Sequence, residues 1–196
     1  SGVPRAAQYT PSSSGTVTDI ILYITSGGAG GHAQVAIYSD SGGRPGALLA
    51  KSSSDTINTN GWHDFTGFNV AVNGGTSYWL AFEADNANLI FYYNNGGANY
   101  YQGAAGSYGT FPNPYSTLYS GSYSPSIYAT YTTSANTPTP TPTPQTPTPT
   151  PTPTGNTATF GPTTIGNSAT TFDGSIPRAT QYTPATSGTV TDIMLY

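Results

Sequence analysis

An internal repeat constrains the fold of this chain more than any other feature. The motif that starts at Pro4 recurs at Pro177, an offset of 173 residues, and the correspondence continues to the last residue. Residues 14–20 (SGTVTDI) return unchanged as residues 187–193. Self-similarity at a fixed offset is typical of repeated structural units. The chain therefore carries parts of two copies of one module, and we expect it to be a window on a longer array.

The repeat divides the chain into three parts. Residues 1–133 are predicted to form a module that lacks its first strand or strands. Residues 134–156 form a Thr-Pro-rich linker, and residues 157–196 are the N-terminal part of the next copy. Residues 157–196 followed by residues 24–133 make one copy of about 150 residues, which suits a single globular domain.

Two arrangements would join such copies, and neighbouring copies of the module are the predicted partners in both. Covalent tandem repeats are the arrangement we expect. In the second, strand exchange, the terminal segment of one copy completes the sheet of its neighbour. The simplest form of exchange has residues 174–196 compete for the place of residues 1–23, which they duplicate.

The linker is an alternation of Thr and Pro over residues 137–154, broken once at Gln145. Alternating prolines remove backbone donors and favour polyproline II geometry, so about 18 residues span about 55 Å at about 3.1 Å each. We expect an extended, stiff spacer, either bare or carrying covalent glycans. Threonine hydroxyls on a solvated backbone are a usual context for O-linked sugar. The candidate O-glycosylation sites are Thr137, Thr139, Thr141, Thr143, Thr146, Thr148, Thr150, Thr152 and Thr154.

Composition excludes several classes of function. The chain has four basic and eight acidic residues, for a net charge of −4, and no cysteine. Nucleic acid is an unsuitable partner because its phosphates require clustered Lys and Arg. No apolar run in this stretch is long enough to span a membrane. The Thr-Pro tract and a surface rich in Tyr, Asn and Gly are typical of extracellular or cell-surface proteins, which is the predicted location.

Period-2 alternation of apolar residues predicts an all-β fold without helices. Many short strands separated by turns indicate an antiparallel β-sandwich, jelly-roll-like, with the extended linker attached. The predicted strands are residues 17–24, 32–39, 48–52, 62–72, 76–84, 88–93 and 126–132. We expect both tryptophans, Trp62 and Trp79, to lie in the core.

Three segments carry a resemblance to a known kind of module. Residues 35–50 (VAIYSDSGGRPGALLA), Gly61-Trp62 and residues 75–81 (GTSYWLA) resemble a jelly-roll module found repeatedly in large bacterial and archaeal surface proteins. The similarity covers most of the globular part, and no catalytic motif comes with it. The module with its Thr-Pro linker also resembles subunits of glycosylated extracellular fibrils.

No constellation of residues indicates catalysis, so we expect no enzyme activity. His63 stands beside Asp64, but no Gly-X-Ser-X-Gly nucleophile accompanies them. Two histidines, His32 and His63, are too few for a predicted metal site. We predict no cofactor. Carboxylates in or beside turns could bind Ca²⁺, although turn formation explains them equally well. These carboxylates are Asp40, Glu83 and Asp85.

Two functional hypotheses follow. The first is a structural repeat of an extracellular fibre or stalk, glycosylated on its linker. The alternative is a carbohydrate-binding module of a secreted, multi-domain enzyme that acts on polysaccharides. The Tyr-rich residues 91–123 fit either, since aromatic rings stack on sugars and also suit protein contacts. We expect them to pack between copies or against linker glycans. A lone Arg5, repeated at Arg178, is expected to pair with a carboxylate or a carbonyl.

Overall fold

The structure is a computed structural model, and it describes residues 2–26, 30–133 and 156–171. Residues 134–155, and with them the nine candidate threonines, lie outside the described residues. So do residues 172–196 of the second copy.

Within the described residues every regular element is a β-strand, and every strand pair is antiparallel. The predicted all-β class is therefore confirmed. The strands are β1 Arg5–Tyr9, β2 Gly15–Thr25, β3 His32–Asp40, β4 Pro45–Lys51, β5 Asp55–Thr56, β6 Gly61–Phe65, β7 Val70–Val72, β8 Tyr78–Ala84, β9 Ile90–Gly103, β10 Thr117–Pro125, β11 Ile127–Thr133, β12 Asn156–Phe160 and β13 Ser168–Thr171.

The strands are arranged in two layers joined by β9. In the first layer β6 and β7 pair with one edge of β2, while β11 and the first residues of β9 lie end to end along its other edge. Beyond them β12 and β13 also lie end to end. The later part of β9 passes to the second layer, which runs through β1, β8 and β3 to β4, with β10 alongside β9. This layering gives the molecule its sandwich character.

One apolar core fills the space between the layers. From the first layer it takes the inward-facing side chains of β2, Ile20, Leu22 and Ile24, all fully buried. From the second layer it takes Leu80 and Phe82. Burial of this kind contributes about 1.5–3 kcal/mol per large side chain. The alternation along β2 is what places its apolar residues on one face.

A second, smaller cluster covers the outer face of the second layer. Tyr38 and Trp79 pack there with Phe111 and Tyr115, which belong to the segment between β9 and β10. The ring centroids of Tyr38 and Tyr115 are 5.3 Å apart in an edge-to-face arrangement. Strands β3 and β8 are consequently buried on both faces.

The predicted strands agree with the structure at most positions. Five of them match single strands, β2, β3, β4, β8 and β11, to within three residues at each end. The predicted strand at residues 62–72 is wrong as one element, because β6 ends at Phe65 and β7 starts at Val70. The predicted strand at residues 88–93 is too short, since β9 continues to Gly103. Strands β1, β5, β10, β12 and β13 were not among the predictions.

Candidate functional site

The first layer ends in an edge that is filled by residues from beyond the linker. Strand β12 pairs with β11 over five positions, from Thr133 opposite Asn156 to Ala129 opposite Phe160. Strand β13 then pairs with β9, from Ser168 opposite Tyr93 onward. We call the segment Asn156–Thr171 the completing segment, and the edges of β11 and β9 that receive it the edge groove. Residues from beyond the Thr-Pro linker are thus part of the same sheet as the residues before it.

The completing segment is anchored in the core as well as on the sheet edge. The side chain of Phe160 is 5% exposed and meets Tyr131 edge to face, with ring centroids 5.7 Å apart. The backbone N–H of Gly166 donates a buried hydrogen bond of 2.6 Å to the hydroxyl of Ser126. The N–H of Asn167 donates to the side-chain oxygen of Asn94 at 3.0 Å. The edge groove therefore recognises this segment through side chains and backbone together.

Two glycines allow the completing segment to lie so close. Gly161 has φ +106°, a conformation that L side chains rarely adopt. A Cβ on Gly166 would overlap the backbone of Tyr93. Because neither position tolerates a side chain, the path between β12 and β13 depends on both glycines.

A group of aromatic side chains lies on the outer face of the first layer, opposite the core. Tyr23 and Trp62 are cross-strand partners on β2 and β6, with ring centroids 5.4 Å apart. Tyr23 also meets Tyr92 at 5.2 Å, and Trp62 meets Tyr128 at 5.4 Å. All four rings are partly exposed. We call this group the aromatic face.

Two carboxylates border the aromatic face. Burial raises the pKa of Asp64, and the nearby charge of Asp19 raises it further. The hydroxyl of Thr130 donates to Asp19 at 3.0 Å. Burial also raises the pKa of the Tyr128 phenol, with a further contribution from the charge of Asp64. A row of rings beside exposed hydrogen-bond acceptors has the chemistry to stack on sugar rings and to accept sugar hydroxyls.

The prediction for the two tryptophans is right in one case and wrong in the other. Trp79 is fully buried, as expected. Trp62 is partly exposed and belongs to the aromatic face. The alternation along residues 17–24, which points Tyr23 outward with Asp19, is the signal in the sequence that locates this face.

The Tyr-rich residues 91–123 turn inward more than their sequence suggested. Tyr93, Tyr100 and Tyr115 are buried, and the other five tyrosines are only partly exposed. Tyr123 stands between three rings, those of Tyr93, Tyr100 and Tyr119, with centroids at 5.5, 5.3 and 6.4 Å. These rings pack within the β9–β10 hairpin, of which the sequence predicted only the first residues of β9.

The two histidines lie in separate places. His32 Nδ1 is 2.7 Å from Asp85 Oδ2, and the backbone N–H of His32 donates to the same carboxylate. His63 has its Nε2 3.0 Å from the carbonyl of Thr59 and its Nδ1 4.0 Å from Asp55. In the part of the chain that the structure describes, no three His, Cys, Asp or Glu side chains come together as a metal-binding group.

The three carboxylates considered for Ca²⁺ each contact different groups, and Asp85 is the one that contacts His32. Asp40 accepts hydrogen bonds from the Gln8 amide at 2.7 Å, the Trp79 indole at 2.8 Å and the Gly43 N–H at 3.0 Å. Partial burial acts to raise the pKa of Asp40, but these three hydrogen bonds outweigh it and lower the pKa. Through these hydrogen bonds, Asp40 holds the β3–β4 turn against β1 and β8.

Glu83 is fully buried on β8. Its Oε1 accepts a hydrogen bond of 2.8 Å from the N–H of Gly109. Burial raises the pKa of Glu83, while that hydrogen bond and the charge of Lys51 act in the opposite direction. Its Oε2 and the Oε1 of its cross-strand partner Gln34 find no donor among the described residues. A proton on Glu83 would supply a donor that this buried pair lacks.

Arg5 pairs with a carbonyl, one of the two partners expected for it. It is 1% exposed, and its Nη1 donates to the carbonyl of Val3 at 3.2 Å. Its guanidinium also lies 5.0 Å from the ring centroid of Phe91, a cation–π contact between β1 and β9. Its repeat equivalent, Arg178, lies outside the described residues.

The fold and these surfaces define the class as an all-β module with an aromatic outer face, whose sheet is completed by the segment that follows the linker. No family model, curated protein or solved structure matches the chain. Among the described residues the structure also contains no helix long and apolar enough to cross a membrane.

Proposed function

We propose that the chain is a structural repeat of an extracellular fibre or cell-surface stalk, with O-linked glycans on its Thr-Pro linker. The observation that carries this proposal is the completing segment. Residues from beyond the linker complete the sheet of the preceding module, with Phe160 in its core, and the repeat in the sequence is the reason to interpret them as the start of another copy. A module that needs the start of another copy is suited to end-to-end assembly.

The linker supports the same role from its sequence. Alternating Thr and Pro over residues 137–154 favour a rod of about 55 Å, which would set a fixed distance between modules. Sugars on Thr137 to Thr154 would stiffen the rod and protect it from proteases. The jelly-roll variety of the sandwich belongs to this proposal as well.

Cryo-electron microscopy of the native material tests the structural role. We expect filaments whose subunit rise combines one module with one rod, and extra density on the linker threonines. Mass spectrometry of the peptide that contains residues 137–154 should show hexose or related increments. Compact, monodisperse particles in the native material would contradict the fibre.

A second candidate function is carbohydrate binding, and the aromatic face is the observation that favours it. Tyr23, Trp62, Tyr92 and Tyr128 form a connected row of partly exposed rings on one sheet surface. Asp64 provides an exposed acceptor beside them. Such a surface would bind a polysaccharide chain from its side, as in a module that holds an enzyme on its substrate.

Affinity electrophoresis on plant and bacterial glycans separates the two candidates. For a carbohydrate-binding module, Trp62→Ala should abolish retardation, because that ring contacts both Tyr23 and Tyr128. Leu49→Ala is the matched control, since Leu49 is 41% exposed on β4, in the other layer. No retardation of the unaltered chain on any glycan would remove this candidate.

A further inference from the structure

The two ends of the linker meet at one point of the sheet. Thr133, the last residue of β11, lies opposite Asn156, the first residue of β12. Directly opposed residues on antiparallel strands have Cα atoms about 5 Å apart. Yet 22 residues, 134–155, separate the two in sequence. A chain that fills its own edge groove must therefore send this linker out and bring it back to its starting point.

The sequence of the linker opposes such a return. Eight prolines in residues 137–154 hold their own φ angles and bias each preceding residue to extended geometry. When a stiff linker is much longer than the gap it must bridge, the effective concentration of its far end at the near end is low. Gln145 is the one break in the alternation. The edge groove of a chain is consequently a poor site for that chain's own completing segment.

A second molecule of this chain can supply the same segment without bending its linker back to the starting point. The edge groove is the same in every copy, and exchange of an identical element between protomers is a low-cost route to association. The described residues that lie in the groove are 156–171. Residues 174–196, which follow in the donor, repeat residues 1–23 of the recipient, whose β1 and β2 already occupy their places. Exchange of residues 156–171 alone therefore leaves the places of β1 and β2 undisturbed.

We propose that the edge groove is filled in trans, by the completing segment of a second copy of this chain. Each copy then donates Asn156–Thr171 to one neighbour and receives the same segment from another. The Thr-Pro rod runs between the two sites instead of closing on itself. This inference rests on the proposed structural role, to which it adds the contact that joins the copies.

Disulfide trapping between two differently labelled chains tests the donor directly. Thr132 and Thr157 are cross-strand partners on β11 and β12, their side chains are exposed, and the chain has no cysteine of its own. Partner positions bring Cβ atoms to about 4.5–5.5 Å, within reach of a disulfide after small shifts. Chains with Thr132→Cys are mixed with mass-tagged chains with Thr157→Cys and oxidised mildly. We expect a covalent heterodimer, at twice the 20.2 kDa of one chain plus the tag.

Two controls make the trapping result specific. Replacing Thr132→Cys by Leu49→Cys keeps an exposed thiol but moves it to β4, and should leave heterodimers at background level. Gly166→Val, added to the donor chain, should abolish trapping, because the new side chain overlaps the backbone of Tyr93. A chain with both Thr132→Cys and Thr157→Cys that forms only an internal disulfide at every concentration would overturn exchange in trans.

Sedimentation of the unaltered chain gives an independent readout. We expect its mass to rise with concentration in steps of 20.2 kDa. A Gly-Ser tract of equal length in place of residues 137–154 lets the segment return to its own groove, and should shift the chain to monomer. If filaments persist when Gly166→Val is introduced, the proposed strand exchange is refuted, while the proposed structural role is unaffected. Absence of any association in the unaltered chain and in native material would count against both.

Discussion

Single carboxyl groups in the second layer respond to pH in opposite directions. Asp40 is held as a carboxylate by three donors, whereas burial of Glu83 favours its protonated form. Their opposite pKa shifts give two predictions with opposite slopes of stability against pH.

Asp40 should contribute stability that is lost in acid. Its folded-state pKa is lowered, so its contribution is present above its ordinary pKa and disappears as the pH falls through the folded value. Asp40→Ala leaves the Trp79 indole and the Gln8 amide without their acceptor, at a cost of about 2–3 kcal/mol at pH 7. Urea unfolding from pH 7 down to pH 3 should show this difference shrinking. Asp55→Asn, at an exposed carboxylate, should stay close to the unaltered protein throughout.

Glu83 should show the reverse dependence. Because its folded-state pKa is raised, the folded protein binds the proton more strongly than the unfolded chain, and stability falls as the pH rises above the ordinary pKa of Glu. Glu83→Gln keeps an acceptor for the Gly109 N–H and supplies a donor beside Gln34. Glu83→Gln should be more stable than the unaltered protein at neutral pH, and this difference in stability should vanish in acid. Thermal unfolding from pH 4 to pH 8 measures it, and an equal Tm difference at all pH values would contradict it.

The burial and contacts of a side chain could be predicted from the sequence only where they depend on the alternation of its own strand. Alternation placed Trp79 in the core, but the exposure of Trp62 depends on which neighbours flank β6, and pairing partners far apart in sequence decide that. The nearness of Glu83 to Gln34 is likewise a matter of register between β3 and β8. The hydrogen bonds of Asp40 join β1, β3 and β8, which no local spacing reveals.

At the scale of strands, local pattern located those rich in apolar residues and missed most of those that are short or polar. Strand β2 turns its apolar residues to one face, β3 and β8 are buried almost throughout, and the sequence predicted all three. Strand β10 is rich in Ser, Tyr and Gly, and it is a strand because β9 pairs with it. Strands β12 and β13 are short and polar, and they depend on the edge groove for their partners. Tertiary pairing outweighs intrinsic preference in such segments.

The completing segment should stabilise the module measurably. Phe160→Ala removes a ring that is 5% exposed and packed on Tyr131, and should lower the free energy of unfolding by about 3 kcal/mol. Chemical denaturation of the full chain measures the loss. Thr159→Ala is the matched control one position earlier, because Thr159 is exposed on the opposite face of β12 and should cost less than about 0.5 kcal/mol. Equal losses for both variants would show that Phe160 is not anchored in the core.

At the scale of the whole molecule, the repeat predicted that copies would interact, and the edge groove is where we propose that they do. Covalent tandem repeats were the expected arrangement, with strand exchange as the second. The objection to exchange was the duplication of residues 1–23 by residues 174–196, and residues 156–171, which pair with β11 and β9, lie outside that duplication. The pairing of residues 156–171 with β11 and β9 could not be predicted, because it joins segments far apart in sequence.

Shortening the linker should change the spacing of modules in proportion. Deleting residues 147–154, which are four Pro-Thr pairs, removes about 25 Å from a polyproline II rod. The subunit rise of reconstituted filaments, measured by cryo-electron microscopy, should fall by up to that amount. Replacing the same eight residues with Thr-Pro pairs in the opposite order keeps the length and should leave the rise unchanged. A rise that ignores the deletion would mean that the linker does not set the spacing.

The position of Thr133 opposite Asn156 has a mechanical consequence. If copies join in trans, the linker that leaves β11 and the linker that enters β12 attach at the same end of this strand pair, and tension between them would pull the two strands apart from that end. Five residue pairs would then open one after another, instead of shearing together. Strand pairs that peel in this way yield at low force, and they can close again when the load is released. An array built on this contact would stretch at its joints while the modules stay folded, and would behave as an extensible cord.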